Sequence, residues 1–247
     1  MPENTDTPPE AHPPEDGDAA HLVRDSAFNY ECGACGRCCY HKRIPLGPYD
    51  VLRLARHGKL GTGEFLRRHV APDGPWLASR PDGSCVFLDG GRCTVHADRP
   101  LACRVYPLGR WVAADEVETF RTLRLHPQSA GRYGQDGTVA GFLERQGLSP
   151  YFDAVDRLQS LFYRLFDALQ GVLPARPELR QVTEAALLAP TDDAGLPGFA
   201  EWLDADAIVT RYCRQHGQAV PEDVEAVLQS YIEAIDAWLK TTGGEAA

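Results

Sequence analysis

Seven of the eight cysteines in this 247-residue chain lie between Cys32 and Cys103, and the eighth, Cys213, stands alone. A segment this rich in thiols must either pair them as disulfides or turn them toward an ion. The first 18 residues, MPENTDTPPEAHPPEDGD, contain neither a basic stretch nor an apolar core of the kind a secretory leader needs. A cytoplasmic location is therefore expected. Thiols there stay reduced, so the spacing is read as metal chemistry rather than a disulfide framework. No run of about 18 apolar residues occurs, so a membrane span is not expected.

The spacing falls into two halves. The first is Cys32-Gly-Ala-Cys35-Gly-Arg-Cys38-Cys39. A C-x2-C step lets two thiolates converge on one ion, and the glycines permit the tight turns this requires. Three cysteines at C-x2-C-x2-C match the local run that grips one iron–sulfur cube, with a fourth ligand from elsewhere. The second half is Cys85-x7-Cys93-x9-Cys103. Cys85 to Leu88 and Arg92 to His96 flank Asp89-Gly90-Gly91, which predicts a β-hairpin bringing Cys85 and Cys93 together away from the turn. The candidate ligands are thus Cys32, Cys35, Cys38, Cys39, Cys85, Cys93 and Cys103, with Cys32, Cys35 and Cys38 joined by Cys103 or a hairpin cysteine in the principal site. Arg37, Arg99 and Arg104 stand where they can offset thiolate charge. His41 and His96 sit beside cysteines and are the candidate nitrogen ligands. One zinc would use four thiolates, two zincs would need a histidine as well, and one cube would leave three cysteines over. The consecutive run favours iron–sulfur over zinc.

Charge divides the chain. Residues 1–27 hold seven acidic side chains against one arginine, and five prolines. With almost no large apolar residue before Leu22, this stretch is read as a disordered acidic tail. Residues 28–133 carry sixteen basic and ten acidic residues and form the cysteine-rich module. Residues 134–247 carry eight basic and eighteen acidic residues and read as helical. The basic module has no dense Lys/Arg run or aromatic platform, which argues against nucleic acid. A protein partner or protein substrate fits better.

Apolar periodicity supplies the elements. Leu46 to His57 and Thr62 to His69 predict short helices, and Glu118 to Leu125 a strand. Ser149-Pro150 is a cap and first-turn pair for a long helix carrying Phe152, Val155, Leu158, Leu161, Phe162, Leu165, Phe166 and Leu169. A second long helix is expected from Pro221 with Val224, Val227, Leu228, Tyr231, Ile232, Ile235, Trp238 and Leu239. Shorter helices are expected at Pro177–Ala189 and Phe199–His216. The fold class is α+β: a small irregular metal-binding module with short helices and a hairpin, followed by an all-α unit.

The string Cys32-x2-Cys35-x2-Cys38-Cys39, then Cys85-x7-Cys93, then Arg99-Pro100-x2-Cys103-Arg104-x-Tyr106-Pro107 resembles the YkgJ-type CxxCxxCC cysteine-cluster family. The resemblance covers roughly residues 28–125 and implies a domain that chelates zinc or iron. One departure is His96, where the family's C-x-x-Y-x-x-R-P string has tyrosine; it is either a neutral replacement or an added nitrogen donor. Relatives that are lysine N-methylases acting on flagellin, with a proposed iron–sulfur cluster, open a second reading as a methyl transferase. Against that reading, no G-x-G-x-x-G loop is present, and Gly58 to Gly63 joins two short helices rather than following a strand. A third reading is an interaction module in which the metal only staples the fold.

Cys213 separates ligands from packing. It lies about 110 residues beyond Cys103, on a helical face with Ile208, Val209 and Tyr212, and no glycine turn or second cysteine accompanies it. Cys213→Ala is expected to keep the full metal content and lose about 1 kcal/mol of stability. Cys35→Ser is expected to strip metal. Elemental analysis and urea denaturation of the two variants check this pair of outcomes.

Overall fold

A computed structural model describes residues 21–113, 117–172 and 202–243. The fold is mixed α+β, as the patterns predict, and divides into two compact units that each use two stretches of chain. The first comprises residues 1–38 and 105–147, the second residues 39–104 and 148–247.

In the first unit β1 (Ala27–Glu31) runs antiparallel to β6 (Arg132–Thr138), with Tyr30 opposite Tyr133 and a bulge between Ala27 and Asn29. The hairpin β4 (Leu108–Val112) and β5 (Glu118–Thr122) places Leu108 opposite Thr122, and Leu22 adds a bridge to Phe120. Leu22 thus joins the fold from inside the stretch 1–27 read as tail. Thr138 caps α4 (Val139–Arg145) by accepting the Gly141 N–H at 3.2 Å. Phe28 and Phe142 meet edge to face at 5.1 Å in the core of this unit.

The second unit contains α1 (Pro48–His57), α2 (Thr62–His69), β2 (Leu88–Asp89), β3 (Arg92–Cys93) and α3 (Leu101–Val105). It also holds α5 (Ser149–Val172), α6 (Ala205–His216) and α7 (Val224–Gly243). The expected helix at 177–189 and the start of the one at 199 lie outside the described residues. No helix among the described residues is long and apolar enough to cross a membrane.

Helix α1 is buried on two faces. Tyr49 and Leu52 enter a cluster with Tyr151, Leu158, Val209, Leu228 and Tyr231, whereas Val51, Leu54 and Ala55 enter a second with Phe65, Leu77, Val95 and Leu203. The long-helix stripes behave as expected, with Phe152, Leu158 and Leu161 buried on α5 and Val227, Leu228, Tyr231 and Ile235 on α7. Phe162 and the apolar side chains after it on α5 lie outside those described. Cys213 is 1% exposed within the first cluster, beside Val209 and Tyr231, as its helical position predicts. The starts of α2 and α6 cap each other: Thr62 N–H donates to Asp206, the Thr62 hydroxyl donates to Asp204, and Asp206 N–H donates back to Thr62 Oγ1.

Between the two buried faces of α1 sits Asp50. One carboxylate oxygen accepts the Gly47 N–H at 3.0 Å and caps α1; the other accepts the Leu101 N–H at 2.8 Å and starts α3. Burial pushes this carboxyl up to about 6, against the pull of the two amides and Arg104. A raised carboxyl pKa means the folded chain holds the proton more tightly than the unfolded chain. Stability conferred at this site is therefore greatest at low pH and falls as pH rises from about 4 to about 6, by on the order of 3 kcal/mol. Asp50→Ala leaves both amides without their acceptor and is expected to cost on the order of 2 kcal/mol at pH 5 while flattening that slope. Urea titrations from pH 4 to pH 7 read both effects.

Candidate metal centre

Three of the predicted ligands belong to the first unit. Cys32 follows β1 and is exposed, Cys35 lies in the loop, and Cys38 sits in a 3-10 turn over Arg37–Cys39. Ala34 and Gly36 take positive φ of 48° and 68°, which curls the loop so that amides face sulfur. The Ala34 N–H donates to Cys32 Sγ at 3.4 Å. The Ala130 N–H, 95 residues away in sequence, donates to Cys35 Sγ at 3.3 Å. That bond holds the Cys35 thiol below its ordinary pKa, because an amide aimed at sulfur favours the thiolate.

Three tyrosines stand behind this loop. The Tyr30 ring meets Tyr106 at 6.4 Å and Tyr133 at 5.6 Å. Burial pushes the Tyr30 phenol up to about 12, against a hydrogen bond to Ser129, with Cys32 adding to the rise. Burial likewise raises Tyr106 and Tyr133, with Cys38 and Cys35 contributing at Tyr106. Tyr106 accepts the His126 N–H and donates to the Arg124 carbonyl, and Tyr133 donates to the Leu123 carbonyl at 2.6 Å. Of these three, the sequence marks only Tyr106, within its Arg-Pro string. Tyr30 and Tyr133 become neighbours through strand pairing that no local pattern announces.

The other four predicted ligands belong to the second unit. Cys85 N–H donates to the Cys39 carbonyl at 2.8 Å, and Tyr40 bridges Ser84. The hairpin exists, with Gly90 and Gly91 at positive φ of 52° and 75° in a two-residue turn, but its ladder is shorter than predicted. Cys93 lies opposite Leu88, not beyond it opposite Cys85. The cause is Arg80. Its guanidinium donates to the carbonyls of Cys85, Val86 and Leu88 at 3.2, 2.8 and 2.6 Å, so this stretch coils around a cation instead of laddering. Leu88 N–H turns back onto the Cys85 carbonyl at 3.0 Å, completing the coil. Cys85 and Cys93 then pack against the second apolar cluster with Val86 and Phe87.

Cys103 lies on α3, its N–H donating to the Pro100 carbonyl at 3.0 Å. Arg104 lies over the Tyr151 ring at 4.7 Å and donates to the Ala97 carbonyl. Arg99 donates to the His96 carbonyl at 2.9 Å, and its guanidinium stands 3.0 and 3.1 Å from the two ring nitrogens. Burial holds His96 below its ordinary pKa, with Arg99 and Arg104 adding to the fall, so the imidazole is neutral at pH 7. The His41 ring packs against Gly83, and His41 N–H donates to the Gly83 carbonyl at 2.8 Å.

Among the described residues, no three His, Cys, Asp or Glu side chains form a group that could hold a metal ion. The donor chemistry nevertheless suits a thiophilic metal. Seven of the eight cysteines are short of full burial, and the sulfurs of Cys32 and Cys35 in the C-x2-C-x2-C run already accept backbone amides. Closing four sulfurs on an ion draws on the ion's own charge to offset thiolate repulsion.

Residues 31–123 match the model of the CxxCxxCC family, described as "Putative zinc- or iron-chelating domain". The match takes in all seven clustered cysteines and excludes Cys213. Comparison with curated proteins and with solved structures finds no match. Within the matched stretch, Arg80 is the organising residue that cysteine spacing misses; its signal is the lone arginine of a Gly/Pro/Ser-rich loop. Arg80→Gln is expected to lower stability by about 1–2 kcal/mol and to speed labelling of Cys85 by a thiol reagent. Urea denaturation and mass-spectrometric mapping of the labelled cysteine test this.

Proposed function

We propose that this chain is a cytoplasmic metalloprotein that binds an iron–sulfur cluster through its clustered cysteines. The supporting observation is the loop that carries Cys32, Cys35 and Cys38, where backbone amides donate to the sulfurs of Cys32 and Cys35. Such donors stabilise thiolate, the form that ligates iron or zinc, and so lower the cost of gathering several negative sulfurs. The C-x2-C-x2-C spacing carries the choice of iron over zinc, since it supplies three thiolates to one cube from a single turn of chain. When bound, such a cluster supplies one-electron chemistry or a rigid staple for the loop.

The chain's own residues prepare the place. Buried Tyr30 and half-buried Tyr106 back the loop, and both phenols stay protonated at neutral pH because desolvation opposes their charge. They therefore add no negative charge beside the thiolates.

Protein purified without oxygen is expected to contain iron and acid-labile sulfide and to absorb broadly near 400 nm, as sulfur-to-iron charge transfer requires. Zinc without visible absorption would keep chelation and replace the iron reading. Neither metal, in protein that is folded by circular dichroism, would overturn it.

A further inference from the structure

The family match ends at residue 123, yet an N–H that donates to the Cys35 sulfur comes from Ala130. We infer that residues 129–131 are part of the metal site, with the Ala130 amide a built-in donor to metal-bound Cys35 sulfur and Gly33 the residue that lets it approach. The inference rests on the metal-binding reading above, and it adds positioning residues that cysteine spacing cannot reach.

Three contacts hold this amide in place, all within one unit of the fold. First, Gly33 lies against the backbone of Ala130. A Cβ at residue 33 would stand 2.6 Å from the Ala130 carbonyl oxygen and 2.8 Å from its carbon, distances that real Cβ atoms do not show. Those are backbone atoms, so a side chain at 33 would displace the 129–131 segment. Second, Gly131 lies beneath the Tyr30 hydroxyl, where a Cβ would stand 2.0 Å from the oxygen. Third, Gly131 N–H donates to Ser129 Oγ at 3.1 Å, closing the segment into a tight turn, and Ser129 also hydrogen-bonds the buried Tyr30. Tyr30 is itself fixed by its register opposite Tyr133. The sheet thus carries the tyrosine, the tyrosine and a glycine seat the turn, and the turn aims one N–H at one sulfur.

The function of such a bond is electronic as well as geometric. An N–H pointed at a metal-bound sulfur withdraws negative charge from it, which strengthens retention of the thiolate and raises the reduction potential of an attached iron centre. The segment supplies this without offering any ligand of its own.

The test uses cadmium-113 as the probe metal in the full chain. A scalar coupling is expected between cadmium and the Ala130 amide proton, transmitted through the N–H···S–Cd path. Gly33→Ala is expected to abolish that coupling and to speed cadmium loss to a chelator on the order of 10-fold, the scale of outer-shell changes at metal sites. Gly141→Ala, on α4 and with its nearest neighbour 3.4 Å from the added Cβ, is expected to leave both unchanged. Chain that binds cadmium but shows no coupling at Ala130 overturns the inference and leaves metal binding standing. Chain that binds no cadmium, zinc or iron removes the metal-binding reading instead. In that case amide exchange decides the contact: fast exchange at Ala130 in the metal-free chain overturns the inference as well.

Discussion

A helix buried on two faces leaves no room for a charge, yet α1 carries Asp50 at its first turn. The carboxylate is tolerated because each oxygen has one amide, Gly47 on one side and Leu101 on the other. Removing either partner would leave a buried polar group unpaired, which costs more than an ordinary hydrogen bond contributes. This arrangement fixes where α1 begins and where the segment bearing Cys103 begins. Two apolar clusters then grow from opposite sides of the same helix, one with α5, α6 and α7, the other with α2 and the loop of Cys85. The helical part of the chain and the stretch containing Cys39 to Cys103 share a core for that reason.

Cations act as local organisers in the same unit. Arg80 gathers the carbonyls of residues 85, 86 and 88. Arg53 pairs with Asp98 at 2.6 Å and lies 5.8 and 5.5 Å from the ring centroids of Tyr49 and Tyr151. Arg104 lies over the Tyr151 ring as well, at 4.7 Å. The basic excess of residues 28–133 thus has structural uses, because several of its arginines satisfy backbone oxygens or sit on aromatic faces. A guanidinium suits this work, since its five donors reach several carbonyls at once.

The other unit solves a different problem, presenting three thiols on a short loop. Its means are backbone: left-handed residues at Ala34 and Gly36, close approach at Gly33, and amides from Ala34 and Ala130. Tyrosines fill the space behind, where burial keeps their phenols uncharged.

Sequence alone announced helices α1, α2, α5, α6 and α7 but not α3 or α4, and it supplied the ligand candidates and the exclusion of Cys213 from them. Apolar residues at three- and four-residue spacing specify which face of α5 or α7 is buried, whatever that face meets, and Cys213 shares such a face on α6. Cysteine spacing marks chemistry because thiols rarely cluster without a use. Tertiary structure alone decided the β1–β6 pairing, the short hairpin around Arg80 and the Ala130 donor to Cys35. Strand β6, with sequence RYGQDGT, lacks the alternation that would declare it. Arg80 reads as one more surface charge until the carbonyls around it are placed. Ala130 gives no signal because its contribution is a main-chain N–H, a group that nearly every residue carries, and only the fold determines which one meets the sulfur.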